Sequence, residues 1–412
     1  MDFEFLISLI MRTLFFLLAV AFGMRAEGQK LLKGLVIDAE KGKPIPYASV
    51  FLSNTSVGTQ TKEDGSFQIN IPAGKYDLIV SSIGYETFSR TVSPVSVEDE
   101  ISIKLKLKAE AMETVVIEPY EKDGWERWGR FFIENFIGTS LNAAHCTIKN
   151  TGVIKFRNSK KTNELTAFAS EPLIIENRSL GYTIRYQLEE FKYSFKTHYL
   201  IYTGYPFFER MEGNASKQKR WERNRKDAYY GSMMHFMRTL FRNRLEQEGF
   251  DVRAVQKIRN DEKLRVKEAA QKNFITKRNA NGTASVEVIN QDSSDYYHHI
   301  LSESDYFDVI GKQKLTGDSI AFAVNNTTAG LAFDNYLLIT YRKRTAPIEY
   351  TKSFPDAGKS MSSQVVLING RPVEVEANGI YYDPADLMSL GYWAWSEKIA
   401  LLLPFDYEPP KE

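Results

Sequence analysis

The chain of 412 residues contains only one cysteine, Cys146. A single thiol cannot form an internal disulfide, so the folded chain must be stabilised by packed apolar cores. Hydrophobic residues make up 43% of the sequence, which is enough to build such cores. Because Cys146 alternates with Ile148 in a short apolar stretch, we interpret its thiol as a small buried hydrophobe in a strand rather than as a nucleophile or redox group.

Histidine is almost as scarce as cysteine. The five histidines are His145, His198, His235, His298 and His299. A catalytic zinc in a peptidase is typically held by a His-x-x-Glu pair with a distant histidine, or by a His-Glu-x-x-His motif. No histidine of this chain has glutamate three positions after it, and the longer motif is also missing. The sequence therefore excludes zinc-peptidase sites of these types, and it predicts no cofactor.

The adjacent pair His298-His299 lies among several aspartates and glutamates, and it is the remaining candidate for a metal site or for acid–base chemistry. Neighbouring residues of a strand point to opposite faces, so two adjacent histidines rarely bind the same ion. We therefore interpret this segment as an acidic, polar loop.

A serine-hydrolase motif is also missing. Gly358 and Ser360 have the spacing of the first two fixed positions of a Gly-x-Ser-x-Gly elbow, but Ser362 occupies the position of the closing glycine. Carboxylate pairs for glycoside hydrolysis are defined by their distance in space and not by their spacing in sequence. The sequence thus predicts that the protein is not an enzyme, and a hydrolase with an unrecognised active site stays an alternative.

The sequence also lacks an excess of basic or of acidic residues. There are 53 lysines and arginines and 52 aspartates and glutamates, so the formal net charge is +1. A balanced charge argues against nucleic acid as a partner.

The N-terminal residues have the pattern of a secretory signal. Arg12 precedes an apolar run from Leu14 to Phe22, and the small residues Ala26 and Gly28 stand where a cleavage site needs them. We predict a signal peptide over residues 1–28, with no transmembrane span left after cleavage. If the run were retained, it would act as a membrane anchor instead. The predicted location is the periplasm or the outer membrane.

Several short strands follow the predicted signal. Phe67, Ile69 and Ile71 alternate with polar residues, as expected for a strand with one buried face. Glycine-containing pairs such as Asp64-Gly65 separate these strands and favour tight turns. We predict an all-β sandwich of about seven strands over residues 29–117.

The motifs of this stretch resemble those of the carboxypeptidase-regulatory-like domain, a transthyretin- or prealbumin-like β-sandwich. The matching segments are Gly34–Asp38, Pro44–Val50, Asp64–Phe67, Pro72–Tyr76 and Ser82–Glu86. In Bacteroidetes the module is commonly fused to envelope proteins, including TonB-dependent outer-membrane transporters. The resemblance implies an Ig/prealbumin-like scaffold or interaction module. It implies no peptidase activity, because catalysis in the enzymes of that name lies in a separate zinc domain.

The remainder of the chain is predicted to form an uncharacterised α+β domain over residues 125–408, joined by a polar linker at 118–124. Aromatic residues from Trp125 onward recur at helical spacing and predict a helix that ends at Gly138. A single long helix is predicted over 217–248. The other predicted elements are antiparallel strands.

Two further elements are predicted near the end of the chain. Asn369-Gly370 stands between two apolar runs and predicts a hairpin with a type I′ turn. A closing helix is predicted over 386–403. The runs 220–232 and 391–397 are similar to uncharacterised Bacteroidetes proteins that carry the same fusion, and no activity follows from this similarity.

Basic and aromatic residues mark the predicted interaction surface of this domain. The predicted long helix is strongly basic, which would suit an acidic protein partner or anionic lipid. Trp393 and Trp395 lie two residues apart and cannot share one helix face, so we expect one of them to be exposed. With Tyr47 and Tyr85, they are candidates for stacking on sugars. The surface residues so predicted are Arg220, Arg223, Arg225, Lys226, Trp393 and Trp395.

The sequence as a whole favours a non-catalytic protein of the cell envelope that acts as a scaffold or interaction module. Its expected partners are other envelope proteins. A carbohydrate-binding accessory protein is the first alternative, with a glycan as ligand.

Overall fold

The computed structural model of the chain describes residues 29–108, 119–278, 284–288, 294–382 and 384–410. The predicted signal peptide lies outside these residues. The chain forms two compact units. Unit 1 contains the residues up to Met234, together with 376–380 and the residues from Ser396 onward, and unit 2 contains 235–375 and 381–395. The domain predicted over 125–408 is therefore divided between the two units.

The N-terminal part of unit 1 is a β-sandwich of seven strands. The strands are β1 (Lys30–Asp38), β2 (Ser49–Leu52), β3 (Gly58–Gln60), β4 (Ser66–Ile71), β5 (Tyr76–Ser81), β6 (Phe88–Val92) and β7 (Glu100–Leu105). One sheet has the order β4-β1-β7 and the other the order β3-β2-β5-β6. Leu32, Val36 and Leu78 are fully buried between them. The predicted seven-stranded sandwich is thus confirmed.

A helix and six strands form the second part of unit 1. They are α1 (Gly124–Phe136), β8 (Cys146–Ile148), β9 (Ile154–Ser159), β10 (Glu164–Ala169), β11 (Leu173–Asn177), β12 (Tyr182–Ser194) and β13 (Tyr199–Arg210). All their strand pairings are antiparallel. The predicted helix from Trp125 is confirmed as α1, whose residues Phe132 and Phe136 are fully buried in the core of this sheet.

The described residues of the predicted linker at 118–124 form hydrogen bonds with the second part of unit 1. The amide of Glu121 donates a hydrogen bond to the carbonyl of Phe156 in β9, at 2.9 Å. The indole Nε1 of Trp128 donates to the Glu121 carboxylate at 2.7 Å. Residues 119–123 are therefore fastened to the edge of the sheet.

The turn Asn54–Ser56 of the sandwich connects it to the second part of unit 1. The amide of Asn54 donates to the carbonyl of Pro206, and the amide of Phe208 donates to the carbonyl of Thr55. The rings of Phe51 and Phe207 lie 5.3 Å apart. This set of contacts between the turn Asn54–Ser56, strand β13 and residues 405–406 is called the seam below.

The C-terminal residues complete the seam. The amide of Phe405 donates to the carbonyl of Asn54. The amide of Ser56 donates to the Asp406 carboxylate at 2.8 Å, and the Ser56 hydroxyl donates to the other oxygen of the same carboxylate. A charged acceptor strengthens both bonds.

The predicted helix over 217–248 is divided into three. The segments are α2 (Ala215–Tyr229), α3 (Met233–Phe241) and α4 (Leu245–Glu248). Gly231 interrupts the first two with φ +88°, and Asn243 adopts φ +50° between the last two. A left-handed residue cannot continue a right-handed helix, so each of these positions redirects the chain. Gly249 caps the C-terminus of α4 with φ +97°.

The next elements of the chain belong mainly to unit 2. They are β14 (Phe250–Arg259), α5 (Asp261–Asn273), β15 (Phe274–Arg278), β16 (Ala284–Val288), α6 (Ser294–Ser302), β17 (Tyr306–Ile310), α7 (Gly317–Ile320), β18 (Ala321–Ala323), β19 (Thr328–Leu331), β20 (Tyr336–Thr345), α8 (Ile348–Ser353), β21 (Ser360–Leu367), β22 (Val373–Glu376), β23 (Leu387–Gly391) and α9 (Tyr392–Ser396). The main sheet is antiparallel with the order β17-β14-β20-β21-β23.

Two predicted elements at the end of the chain are wrong. β21 and β22 lie in different sheets, so Asn369-Gly370 does not close a hairpin. A type I′ turn needs positive φ at both central residues, and here only Gly370 has it. In place of the helix over 386–403, β23 pairs with β21 and α9 is only five residues long. Gly391 breaks the predicted helix with φ +74°.

The N-terminus of helix α3 is capped by a side chain that is distant in sequence, that of Glu397. The Glu397 carboxylate accepts a hydrogen bond from the amide of Met233 at 2.9 Å. This amide is one of the N-terminal donors of the helix that have no partner within it. Burial raises the pKa of Glu397 to about 7, although the bond from Met233 acts in the opposite direction.

The contact of Gly58 with Phe207 gives a test of the seam. A Cβ added at Gly58 would lie 2.5 Å from the Phe207 ring, which is held against Phe51. We expect Gly58→Ala to lower the free energy of unfolding by about 1–3 kcal/mol, as overpacking does, in urea denaturation. Gly152→Ala is the matched control, since nothing lies within 4 Å of its added Cβ. Equal effects of the two substitutions would contradict the described packing.

Glu397 gives a pH-dependent prediction. Between the ordinary pKa of 4.5 and about 7, the unfolded chain loses the proton that the folded chain keeps. The free energy of unfolding should therefore fall as pH rises through this window, by on the order of 2 kcal/mol. Glu397→Gln should remove this part of the slope in urea denaturation at pH 4.5–8.

The control for this experiment is Glu212→Gln, at an exposed glutamate. It should leave the slope of the native protein unchanged. A Glu397→Gln profile parallel to that of the native protein would contradict the raised pKa.

Candidate functional site

Helix α2 is anchored to unit 1 by three side chains on one side. Trp221 is buried, and its Nε1 donates to the carbonyl of Arg178 at 2.9 Å. Asn224 donates to the carbonyl of Ser179 at 2.9 Å. These bonds fix the helix to the turn between β11 and β12, so the outward side of the helix is presented in one orientation.

Arg225 completes this anchor. Its Nε donates to the carbonyl of Leu180 at 2.7 Å, and its guanidinium lies 4.3 Å from the centre of the Tyr182 ring. Burial lowers the pKa of Arg225. The structure thus uses this predicted surface residue largely for packing, with its charge against a carbonyl and an aromatic face.

The outward side of α2 is basic. Arg220 and Arg223 are exposed, and neither forms an ion pair with the described residues. Lys217 and Lys219 are exposed on the same helix. Lys226 is half-buried, with its Nζ 5.8 Å from the centre of the Tyr230 ring. We call the exposed residues Lys217, Lys219, Arg220 and Arg223 the basic face.

Both predicted tryptophans are buried, so the expectation that one is exposed is wrong. Trp393 is 2% exposed and its ring lies 5.4 Å from that of Phe236. Trp395 is 8% exposed and packs against Tyr350. In the short helix α9 the two rings enter the core on different sides, and neither offers a face for a sugar or a partner.

The segment of His298 and His299 is a helix, α6, and not a loop. His299 is largely exposed, and its Nε2 lies 3.7 Å from the Glu303 carboxylate one turn later. Within the part of the chain that the structure describes, no three His, Cys, Asp or Glu side chains come close enough to hold a metal ion. The two histidines therefore do not form a metal centre with these described residues.

Burial shifts the pKa values of two side chains that could serve as a nucleophile or a base. Burial raises the pKa of Cys146 to about 12, so its thiol is protonated at neutral pH. Burial and neighbouring cations lower the pKa of His235 to about 3. Its neutral ring packs 4.9 Å from that of Phe250. The carboxylate with a raised pKa, Glu397, is occupied as the cap of α3.

The sequence did not reveal the exposure of strand β17. All five of its residues are exposed, and Tyr306, Phe307, Val309 and Ile310 are each about half exposed, at 48–51%. It is the edge strand of the main sheet of unit 2, paired on one side with β14. Its aromatic and β-branched residues give the signal of a buried strand, which is why the pattern alone does not show its exposure.

No helix of the described residues has the length and apolar character needed to cross a membrane.

Comparison with known families identifies the sandwich. Residues 32–117 match the family CarboxypepD_reg-like domain. The chain is 31% identical over 98 residues to Carboxypeptidase E of Caenorhabditis elegans, covering 22% of this chain and 20% of that protein. It is 33% identical over 84 residues to TonB-dependent receptor P39 of Formosa agariphila, covering 20% of this chain and 8% of the receptor. The chain thus spans at most a fifth of the length of these relatives.

Solved structures give only distant similarities. A DUF3823 family protein from Bacteroides ovatus is 12% identical, and 39% of this chain and 61% of that chain are covered, with a TM-score of 0.16. A putative membrane-associated protein of unknown function from Bacteroides fragilis is 11% identical over 85% of this chain and 94% of that chain, with a TM-score of 0.16. A TM-score of 0.16 is too low to indicate a shared overall fold.

The match to Carboxypeptidase E covers only 20% of that protein, so its activity is not carried over to this chain. The family match at residues 32–117 lies within the stretch 29–117 over which the sandwich was predicted. Residues 32–117 of this chain form a CarboxypepD_reg-like domain.

Proposed function

We propose that this protein is a non-catalytic component of the cell envelope that works through contacts with other proteins. The basic face of α2 is the observation that carries the proposal. Four cationic side chains are exposed on a helix that is anchored by Trp221, Asn224 and Arg225, so the backbone that carries them is fixed before a partner arrives. Preorganised charges lower the entropic cost of association and favour an acidic surface on the partner.

The envelope location is supported by two features of the chain. The N-terminal residues have the pattern of a secretory signal. The chain is also similar over 84 residues to a protein named as a TonB-dependent receptor. Both features suit the periplasm or the outer membrane.

The absence of catalysis is part of the proposal. The described side chains with perturbed pKa values are engaged in structure: Glu397 caps α3, and His235 lies among aromatic rings. A catalytic group needs a perturbed pKa together with access to a substrate. Purified protein is expected to release no product from peptide, ester or glycoside substrates.

A carbohydrate-binding accessory role is the second candidate, and Tyr47 is the residue that favours it. Its side chain is 64% exposed and its backbone adopts φ +57°, which is rare for a bulky residue. The amide of Tyr47 donates to the carbonyl of Thr61, which holds this conformation. Strained, exposed residues are enriched at binding sites. A role in sugar stacking predicts saturable retention on a polysaccharide column that Tyr47→Ala abolishes.

In-cell crosslinking tests the favoured function. Intact cells are crosslinked, and the protein is recovered and its partners identified by mass spectrometry. The double variant Arg220→Glu/Arg223→Glu should lose the main envelope partner by at least tenfold in recovered amount, because the charge of the basic face is reversed. Lys160→Glu/Lys161→Glu is the matched control, since it changes the net charge equally at an exposed turn of the same unit.

Two outcomes would contradict the proposal. Recovery of no reproducible partner from native cells would exclude a function through protein contacts. Equal loss with both double variants would show that net charge and not the basic face is recognised. Co-sedimentation with anionic phosphatidylglycerol vesicles, lost in Arg220→Glu/Arg223→Glu, would assign the basic face to lipid instead.

A further inference from the structure

Strand β17 is the exposed edge strand of the main sheet of unit 2. It pairs with β14 over Tyr306–Ile310, and no other strand of the described residues pairs with its outer edge. Ile258, opposite Phe307 on β14, is also 48% exposed, so the apolar surface continues into the sheet. An exposed apolar edge is a template for a further strand, because its backbone donors and acceptors are open to pairing.

The charge that normally protects such an edge is neutralised here. Asp308 is the central residue of the strand, and its carboxylate lies 2.8 Å from Nζ of Lys257 on β14. It also accepts a hydrogen bond from Gln364 at 2.6 Å. Charged edge residues prevent strand addition when they are unpaired. Asp308 is paired within its own sheet, so it does not act in this way.

We propose that β17 pairs with β17 of a second copy of this chain, antiparallel and centred on Asp308. The order of side chains supports this occupant, because two aromatic residues precede Asp308 and two β-branched residues follow it. In this register Tyr306 faces Ile310 of the second copy and Phe307 faces Val309, each pair occurring twice. The two Asp308 carboxylates face each other, and their repulsion is reduced because each is paired with its own Lys257. Aromatic–β-branched pairs across strands stabilise the pairing of the strands.

The flanks of the strand are complementary in the same register. Asp305 and Glu303 precede β17, and Lys312 follows it. Antiparallel pairing brings Ser304 opposite Lys312 of the second copy, with the two acidic residues on either side. Lys312 forms no ion pair with the described residues. Asp305 is already paired with Lys263 at 2.9 Å and with Lys267 at 3.0 Å, and Glu303 accepts a hydrogen bond from Asn260 at 2.9 Å. The approach of Lys312 therefore adds to acidic charges that are partly compensated within each copy, and the contact occurs twice, as in an isologous interface.

The faces of the sheet on which the side chains lie also favour a second copy of this chain as the occupant. A two-fold axis perpendicular to the sheet keeps each residue on its own face. Phe307, Val309 and Ile258 of both copies would therefore form one continuous apolar stripe, and the two five-stranded sheets would become one of ten strands. No other strand needs to move, since the outer edge of β17 is already extended.

Disulfide trapping tests the register. In a Cys146→Ser background, Asp308→Cys places two thiols directly opposite each other, with Cα atoms about 4.5–5.5 Å apart, which a disulfide spans. Phe307→Cys and Val309→Cys are the matched controls, because their thiols lie on a diagonal of about 7–8 Å and cannot bridge. We expect a covalent dimer from Asp308→Cys alone on non-reducing gels. No dimer from Asp308→Cys, or a dimer from either control in its place, would overturn the proposal.

The oligomeric state of the purified protein gives the second test. Sedimentation equilibrium should show a mass that rises toward twice that of the monomer with concentration. Val309→Lys should remain monomeric, and Leu390→Lys, on the opposite edge strand of the same sheet, should dimerise as the native protein does. Circular dichroism verifies that both variants are folded. A native protein that stays monomeric, or a folded Val309→Lys variant that still dimerises, would overturn the inference and would leave the role of the basic face untouched.

Discussion

The turn Asn54–Ser56 is held by two segments that lie far from it in the sequence. Strand β13 bonds to its backbone through Pro206 and Phe208, and the C-terminal residues bond to it through Phe405 and Asp406. Asn54 adopts φ +58°, a conformation that asparagine tolerates better than most residues. The sandwich, the second sheet of unit 1 and the end of the chain all meet at this seam.

The seam determines what the rest of unit 1 can do. A CarboxypepD_reg-like sandwich that hung on a flexible linker would sample many positions relative to its neighbour. Here the backbone bonds, the Ser56–Asp406 contacts and the Phe51–Phe207 ring contact fix it against β13. The basic face of α2 belongs to the same unit, anchored to the turn after β11. Unit 1 therefore presents the sandwich and the basic face as parts of one body.

The sequence was most informative where one face of an element is buried. Phe67, Ile69 and Ile71 alternate with polar residues because β4 covers the sandwich core on one side only. The aromatic spacing of α1 is equally direct, since Phe132 and Phe136 face a sheet. In both cases the local pattern and the tertiary environment agree, and such elements can be predicted from sequence alone.

The predictions that proved wrong concern residues whose conformation or burial is decided by partners distant in sequence. The residues of β23 fit a helical pattern, but their pairing with β21 decides their conformation, and that partner lies more than twenty residues away. Trp393 and Trp395 are both buried, on different sides of a very short helix, so their spacing did not show that neither is exposed. Arg225 resembles its exposed neighbours in sequence, and only the carbonyl of Leu180 shows that it is an anchor. The composition of β17 is typical of a core strand, and the local sequence does not show that its residues are exposed in the described part of the chain.

The division of the chain has a consequence for how it becomes a folded protein. The chain leaves unit 1 after Met234 and returns to it over residues 376–380 and again from Ser396 onward. Unit 2 is therefore inserted into unit 1 in the sequence. Asp406 reaches Ser56 only after the whole inserted unit has been synthesised. The entropic cost of closing so long a loop grows only slowly with its length. Until that closure, the sandwich has its own core and its contacts with β13 but lacks the contacts of Phe405 and Asp406, so the seam is complete only after residues 405–406 have reached the turn.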